Sequence, residues 1–495
     1  MESFQFIKRQ GLWSDEQARQ AVELQHRIEA GDLNLIRVAW PDPHGAIRAK
    51  SVTVPAFKDV LENGYNINIA TSTLDGSGAR VFKSFTAGGG LGLDEFTGSP
   101  NLTAVPDPGT FRILPWAPDI GWVLCDQYFH DGRPFHFATR HLLKQQLQRL
   151  EGRGLGHVVG LETEWYLSRI VQEHLGPENI GVPGLLGKPV ATAPVERGYS
   201  YHSETNLDIM QPVLSELTAA YQALGLPLRS MENEWGPGQV ECTFSADDAL
   251  AAADNYALFR TATRQVCHRL GYFATFMCRP GIAGHYSSGW HLHQSVKDKM
   301  GVNQLIPGDG DGHLSPLGQN FLAGLLDHAV EGTIFGTPTI NGFRRFQPNS
   351  LAPDRAGWGY DHRGTMMRVL GGPEDPTTRI ENRAGEPAAN PYLFIAAQIA
   401  AGIDGLEREL PLWAPDDDSY EADRPLLPQN LGAALTVLDR SQLYREQFGD
   451  LFVDYYLAFK SVELGRFEQH CEENGIDPGS GDVTQWEQNE YYDFF

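Results

Sequence analysis

The chain has 495 residues, 41% hydrophobic and 21% charged, and its 63 acids against 39 Lys and Arg give a formal net charge of −24. That length asks for two to four domains, or one large domain with an appendage. The negative field excludes non-specific nucleic-acid binding, and no apolar run of about 20 residues exists to cross a membrane. The N-terminus, MESFQFIKRQGLWSDEQ, lacks the basic-then-apolar pattern of a signal peptide. Cys125, Cys242, Cys267, Cys278 and Cys471 are scattered without a CxxC pair, which points to a reducing cytoplasm rather than a disulfide framework or a zinc site.

Residues 1–135 read as short strands such as NLIRVAW and GWVLCDQYF. They are joined by Gly- and Pro-rich connectors, of which FTAGGGLGLDEFTGSP is the longest. FATRHLLKQQLQRLEGRG, with leucines at 143, 147 and 150 and a glycine stop, is a helix signature, and a boundary is expected near 130 to 140. GLETEWYL (160–167) reads as a strand. SELTAAYQALG and DALAAADNYALFRTATRQVCHRLG read as helices, VECTF and HLHQSV as strands. NPYLFIAAQIAAGIDGLEREL reads as a helix with Asn390 as N-cap and Pro391 at its first position. A last helix runs from about 449 to 470. The class is α+β.

GLETEWYL poses the chemical question. On a strand Glu162 and Glu164 share one face, and two like charges side by side repel and resist desolvation. ENEWGPGQVECTF adds Glu234 and Glu241 on the two arms of a GPGQ turn. GWHLHQSV adds His291 and His293, and RIENRAGEP sets Glu381 between Arg379 and Arg383. Each piece alone is more often a solvated pair or an ion-pair network. Carboxylates with an occasional imidazole suit magnesium or manganese rather than zinc or copper. Arginine makes a second constellation. Arg344, Arg345, Arg355, Arg363, Arg368, Arg379 and Arg383 fall within forty residues that contain no lysine. Their planar forks suit phosphate and carboxylate, with salt bridges to the surplus acids as the alternative. There is no GxxxxGK[ST] loop.

GLETEWYL, ENEWGPGQVE, SGWHLHQS, NGFRRFQPNSLAP, HRGTMMRV and RIENRAGEPAANPYLFIAAQIAAGIDGLE occur in this order over residues 160 to about 407. Together they resemble the glutamine synthetase family. NLTAVPDPGTFRILPW upstream matches loosely, and VTQWEQNEYY looks like the family's ending. The resemblance implies an N-terminal β-grasp domain (1–135) and a catalytic domain (136–495) whose curved antiparallel sheet forms a funnel-shaped site. It implies homo-oligomeric rings, hexamers or dodecamers, in which the neighbour's N-terminal domain completes each site. It implies ATP, L-glutamate and a small amine as substrates, with two or three Mg2+ or Mn2+ ions per subunit.

Carried onto this sequence, Glu164, Glu234 and Glu241 hold one metal, and Glu162, His291 and Glu381 the other. His293, Ser295, Arg368 and Arg379 fall where the family binds ATP. Arg345 and Arg383, with Glu164, fall at the glutamate, and Arg363 at the transferred phosphoryl group. The chemistry implied is activation of the γ-carboxylate as an acyl phosphate, which an amine then attacks.

The acceptor side departs from the family. Leu351 stands where the flap's glutamate assists ammonium, and Tyr286 replaces the asparagine of the family's NGSGMH loop. Asp75, in LDGSGARVF, matches the neighbour's ammonium-binding aspartate. Trp235 and Trp358, near turns, are expected at the pocket, whereas Trp165 and Trp290 are expected behind the sheet. DDDSYEADRPLLP, with Tyr420, matches the family's modified loop poorly. The expected acceptor is an organic amine of aniline type; ammonia and polyamines are the alternatives.

Overall fold

Two sheets organise the chain in the computed structural model, which describes residues 5–308, 312–347 and 350–495. The first comprises β1 (Leu35–Pro41), β2 (Ile47–Thr53), β3 (Tyr65–Asn68), β4 (Asn101–Pro106), β5 (Arg112–Leu114) and β6 (Ala117–Tyr128). Its order is β2-β1-β6-β4-β3, with β5 on β6. The β1–β6 pair is parallel and the remaining pairs are antiparallel. Ile36 and Val38 of β1 point into the core, as strand alternation requires. The helix Asp15–Glu29 opens with a Ser14–Gln17 capping box and buries Ala21, Leu24 and Ile28. A mixed sheet holding one such helix is the arrangement of a β-grasp.

The second sheet builds the site. Its strands are β7 (Leu155–Ile170), β8 (Thr192–Pro194), β9 (Leu228–Asn233), β10 (Gln239–Phe244), β11 (Asp247–Asp248), β12 (Tyr272–Thr275) and β13 (Trp290–Asp298). They are followed by β14 (Trp358–Tyr360), β15 (Met367–Leu370) and β16 (Arg379–Gly385). The order is β14-β15-β16-β13-β7-β10-β9, with β8, β11 and β12 pairing along the long β7.

Burial alternates strictly through the middle of β7. Leu161, Thr163 and Trp165 are buried, while Gly160, Glu162 and Glu164 are half-exposed on the other face. The two-residue period therefore sends both glutamates to one side and the apolar residues to the helices behind. Trp165 and Trp290 are fully buried there, as expected, and Trp290 stacks on Tyr256 at 4.1 Å.

The predicted helices form at Thr139–Gly152, Ala249–Arg269, Pro391–Glu407 and Asp450–Asn474. SELTAAYQALG is the second half of a longer helix, Glu204–Leu224, which starts at the Ser203 cap. Pro391–Glu407 is almost wholly buried. The Asn390 side chain accepts from the backbone N–H groups of Tyr392 and Leu393, and its amide donates to the Pro43 carbonyl at 3.0 Å. One cap thus starts the central helix and ties it to the first sheet. All five cysteines are free and buried. Among the described residues no helix is long and apolar enough to cross a membrane.

Candidate active site

Register, rather than sequence proximity, assembles the charges. Glu162 lies opposite His291 across β7–β13, Glu164 opposite Glu241 across β7–β10, and Glu381 opposite both His293 and Arg368 across β16. One ligand atom from each of Glu162, His291 and Glu381 comes within 4.8 Å of the others, and the same holds for Glu164, Glu241 and His291. His291 thus serves both groups. Glu234 sits just past β9 in the same cleft, where it groups with Glu232 and His202 instead. Neither of these two partners was expected.

Hydrogen bonds and ion pairs hold most of the groups on this face. His291 Nδ1 and Glu162 Oε1 are 2.6 Å apart, and His293 Nε2 and Glu162 Oε2 are 3.1 Å apart. Arg379 Nε donates to His293 Nδ1 at 3.1 Å. Glu164 accepts from Gln239 Nε2 at 2.8 Å and from the Gly289 N–H at 3.0 Å. Glu381, fully buried, accepts from Arg368 Nη1 at 2.9 Å and from Arg383 Nη1. Arg345 Nη1 is anchored on the carbonyls of Arg383 and Gly385. Gly289 must lack a side chain, because a Cβ there would lie 2.6 Å from Arg345 Nη2 and 3.0 Å from His291 Nε2.

The electrostatics divide the acids. Burial raises Glu164 to about 7, with Arg345 opposing and Glu162 adding to the rise. Burial, then Glu164, lifts Glu234 to about 8. Burial, then Glu162 and Glu164, lifts Glu241 to about 10. Burial also works against Glu162, but its hydrogen bonds with His291 and His293 outweigh it and hold the carboxyl far below the usual range. Glu381 is held low in the same sense by Arg383 and the two imidazoles, against its burial. Burial and Arg383 push His291 down to about 4, leaving a neutral imidazole able to act as a ligand. Carboxylates crowded until they resist ionisation, around one neutral imidazole, fit hard divalent cations.

Two clefts meet here. One, of about 760 Å³, is lined by Glu162, Glu164, Glu234, Glu241, His291, Arg345, Arg363, Arg368 and Arg383, and also by Tyr286 and Leu351. The other, of about 690 Å³, is lined by Glu162, His293, Ser295 and Arg379. The arginine run therefore splits. Arg345, Arg363, Arg368, Arg379 and Arg383 face the clefts. Arg344 instead pairs with the buried Glu487 at 3.2 Å, and Arg355 with Asp354 at 2.8 Å.

One expected pocket residue lies elsewhere. Trp358 is buried in β14, its indole N–H donating to the Trp413 carbonyl at 3.0 Å, and it lines neither cleft; strand pairing turned its ring into the core. Trp235 does line the larger cleft. Asp75 is away from the cleft of its own chain. Its carboxylate accepts from the Ser77 hydroxyl at 2.6 Å and the Ala79 N–H at 2.9 Å, and pairs with Arg466 at 2.9 Å.

Comparison with known proteins agrees with this geometry. Residues 136–477 match the glutamine synthetase catalytic domain. The chain is 41% identical to the γ-glutamylanilide synthase of an Acinetobacter species over 99% of both chains. It is 31% identical to the γ-glutamylethanolamide synthetase of Streptomyces coelicolor, over 90% of this chain and 92% of that one. It is 30% identical to the glutamate–methylamine ligase of Methyloversatilis universalis, over 96% and 99%. The solved structure of GmaS with ADP superposes with a TM-score of 0.74 at 27% identity, covering 90% of this chain and 96% of that one. The family is ATP- and divalent-metal-dependent and ligates glutamate to amines, and this chain, a ligase, belongs to the glutamine synthetase family.

Proposed function

We propose that this protein joins the γ-carboxylate of L-glutamate to an organic amine of aniline type through γ-glutamyl phosphate. The observation that carries the choice of amine is the flap position. Leu351 lines the cleft that holds the acids and arginines, and a leucine neither binds ammonium nor accepts a proton. An arylamine is largely unprotonated at neutral pH and needs less help from a base. The 41% identity to a γ-glutamylanilide synthase points the same way. So does Asp75: a carboxylate already paired with Arg466 brings little free charge to a neighbour's site for holding ammonium.

The residues divide the work in two steps. Arg345 and Arg383 grip the carboxylates of glutamate, and Glu164 faces its amino end. His293, Ser295, Arg368 and Arg379 hold the nucleotide. The γ-carboxylate oxygen attacks the terminal phosphorus of ATP and ADP leaves, with Arg363 placed to match charge on the moving phosphoryl group. The amine nitrogen then attacks the acyl carbon, inorganic phosphate leaves and the nitrogen loses a proton. Glu164, Glu234 and Glu241 would hold one Mg2+ or Mn2+, and Glu162, His291 and Glu381 another. Such ions, when bound, neutralise the triphosphate and polarise its terminal phosphorus.

We place the enzyme in the cytoplasm, which its free cysteines fit. We also expect a homo-oligomeric ring of six or twelve subunits, measurable by light scattering. The deciding assay compares ammonia, aniline, isopropylamine and putrescine as acceptors. Aniline is expected to give the highest kcat/KM; ammonia as the best acceptor would refute the assignment.

A further inference from the structure

The mouth of the larger cleft carries large side chains that none of the steps above uses. Tyr201 is 53% exposed, Trp235 41% and Leu351 68%, and all three line the cleft. Uncovered aromatic surface of this kind, continuous with a catalytic cleft, marks a place where a ligand is to be buried.

The loops hold these groups in place. Tyr199, His202 and Leu351 have left-handed backbones, with φ of 58°, 55° and 63°. Residues with side chains rarely adopt that conformation unless the surroundings impose it. The Tyr199 N–H donates to the Trp235 carbonyl at 2.7 Å, and the His202 N–H to the Asn233 carbonyl at 3.1 Å. The segment bearing Tyr201 therefore hangs on the turn bearing Trp235. Their ring centroids lie 6.4 Å apart at 52°, and Tyr199 meets Trp235 edge-on at 6.3 Å. Leu351 is bracketed in a similar way: the Tyr286 hydroxyl donates to the Ser350 carbonyl at 3.0 Å and the Tyr420 hydroxyl to the Ala352 carbonyl at 3.2 Å. Tyr201 lines the same cleft as Glu232, Glu234, Glu241 and Arg363. The exposed wall of Tyr201, Trp235 and Leu351 thus shares one cleft with the phosphoryl-transfer groups.

We propose that Tyr201, Trp235 and Leu351 form the subsite for the aromatic ring of the acceptor amine and set its specificity. The proposal rests on the arylamine reading above. An amine whose ring lies against this wall presents its nitrogen inward, toward the carboxyl group activated beside Arg363. A small alkylamine reaches the same point without touching the wall.

The test is steady-state ADP release at saturating ATP and glutamate, with aniline and with methylamine, in Tyr201→Ala, Trp235→Ala, Tyr201→Phe and Trp235→Phe. Both alanine variants are expected to raise the KM for aniline at least tenfold and that for methylamine less than twofold. The phenylalanine variants should keep the aniline KM within threefold. Both positions face solvent, so melting temperatures are expected to match the wild type. Equal rises for the two amines, or no rise for aniline, would overturn the subsite. Wild-type enzyme that forms a product with ammonia alone would instead overturn the choice of an arylamine as acceptor. Wild-type activity on aniline with insensitive variants would refute only the subsite.

Discussion

The two ends of the larger cleft are built on different principles. At the inner end Glu162, Glu164, Glu241, His291 and Glu381 stand on paired strands, each opposite a cross-strand neighbour, and Glu162, Glu164, His291 and Glu381 are also held by a hydrogen bond or ion pair. At the outer end Tyr201, Trp235 and Leu351 stand on loops, Tyr201 beside the left-handed His202 and Leu351 itself left-handed. Strand register fixes a catalytic constellation to within fractions of an ångström, which phosphoryl transfer demands. Loops can change side chains without disturbing that frame. Relatives named for anilide, ethanolamide and methylamide synthesis match this chain over nearly its whole length, as expected if the inner end is shared and the outer end varies.

Breaking the inner end should abolish the reaction whatever the amine. Glu164→Ala is expected to lower ADP release by roughly a thousandfold or more with every acceptor, and to weaken Mn2+ binding measured by calorimetry. Near-normal turnover would refute the site assignment. Changing the outer end should move preference instead. Leu351→Glu supplies the carboxylate that the flap lacks, and the ratio of kcat/KM for ammonia to that for aniline should rise about tenfold. An unchanged ratio would remove Leu351 from the acceptor site.

The inner end also carries a stability signature. Without a divalent cation, Glu164, Glu234 and Glu241 titrate near 7, 8 and 10 in the fold, against 4.5 for the ordinary carboxyl. The folded state therefore binds more protons than the unfolded one between those values. Its stability is highest below the ordinary value and is lost as the pH climbs through 7 and above. In EDTA the melting temperature should fall on the order of 5 °C between pH 6 and pH 9. Saturating Mg2+ or Mn2+ should flatten the slope by binding the ionised acids. A flat profile in EDTA would contradict the electrostatic account.

How far the site was legible follows from the same division. Alternation along GLETEWYL was enough to put Glu162 and Glu164 on one face, and Asn390–Pro391 was enough to start the central helix. That Glu162, His291 and Glu381 converge depends on the strand order β16-β13-β7, a long-range property that only the family resemblance supplied. Glu232 had a faint signal, standing two residues before Glu234 as Glu162 stands before Glu164, and it proves to lie opposite Glu241. Tyr201 and His202 had none. Their loop takes left-handed backbone at Tyr199 and His202 with no glycine at either position to mark it, because contacts with the Asn233–Trp235 turn impose it. The arginine run misled by composition, since Arg344 and Arg355 have the same chemistry as their neighbours and differ only in where the chain points them.

Trp358 and Trp235 make the finest test of the comparison, since both stand beside motif residues and were expected at the pocket. Trp235 is on the wall and solvent-facing; Trp358 is buried, bonded to the Trp413 carbonyl and packed edge-on against Tyr360 at 4.9 Å. Trp358→Phe removes the indole donor from its partly buried hydrogen bond to that carbonyl. It should cost about 1–2 kcal/mol, seen as a melting temperature lowered by roughly 2–4 °C, with the aniline-to-methylamine ratio unchanged within twofold. Trp235→Ala should do the reverse, moving the ratio and leaving the melting temperature in place. If Trp358→Phe shifted the amine preference as Trp235→Ala does, the wall would extend through β14 and the separation of a rigid inner end from a variable outer end would fail at that strand.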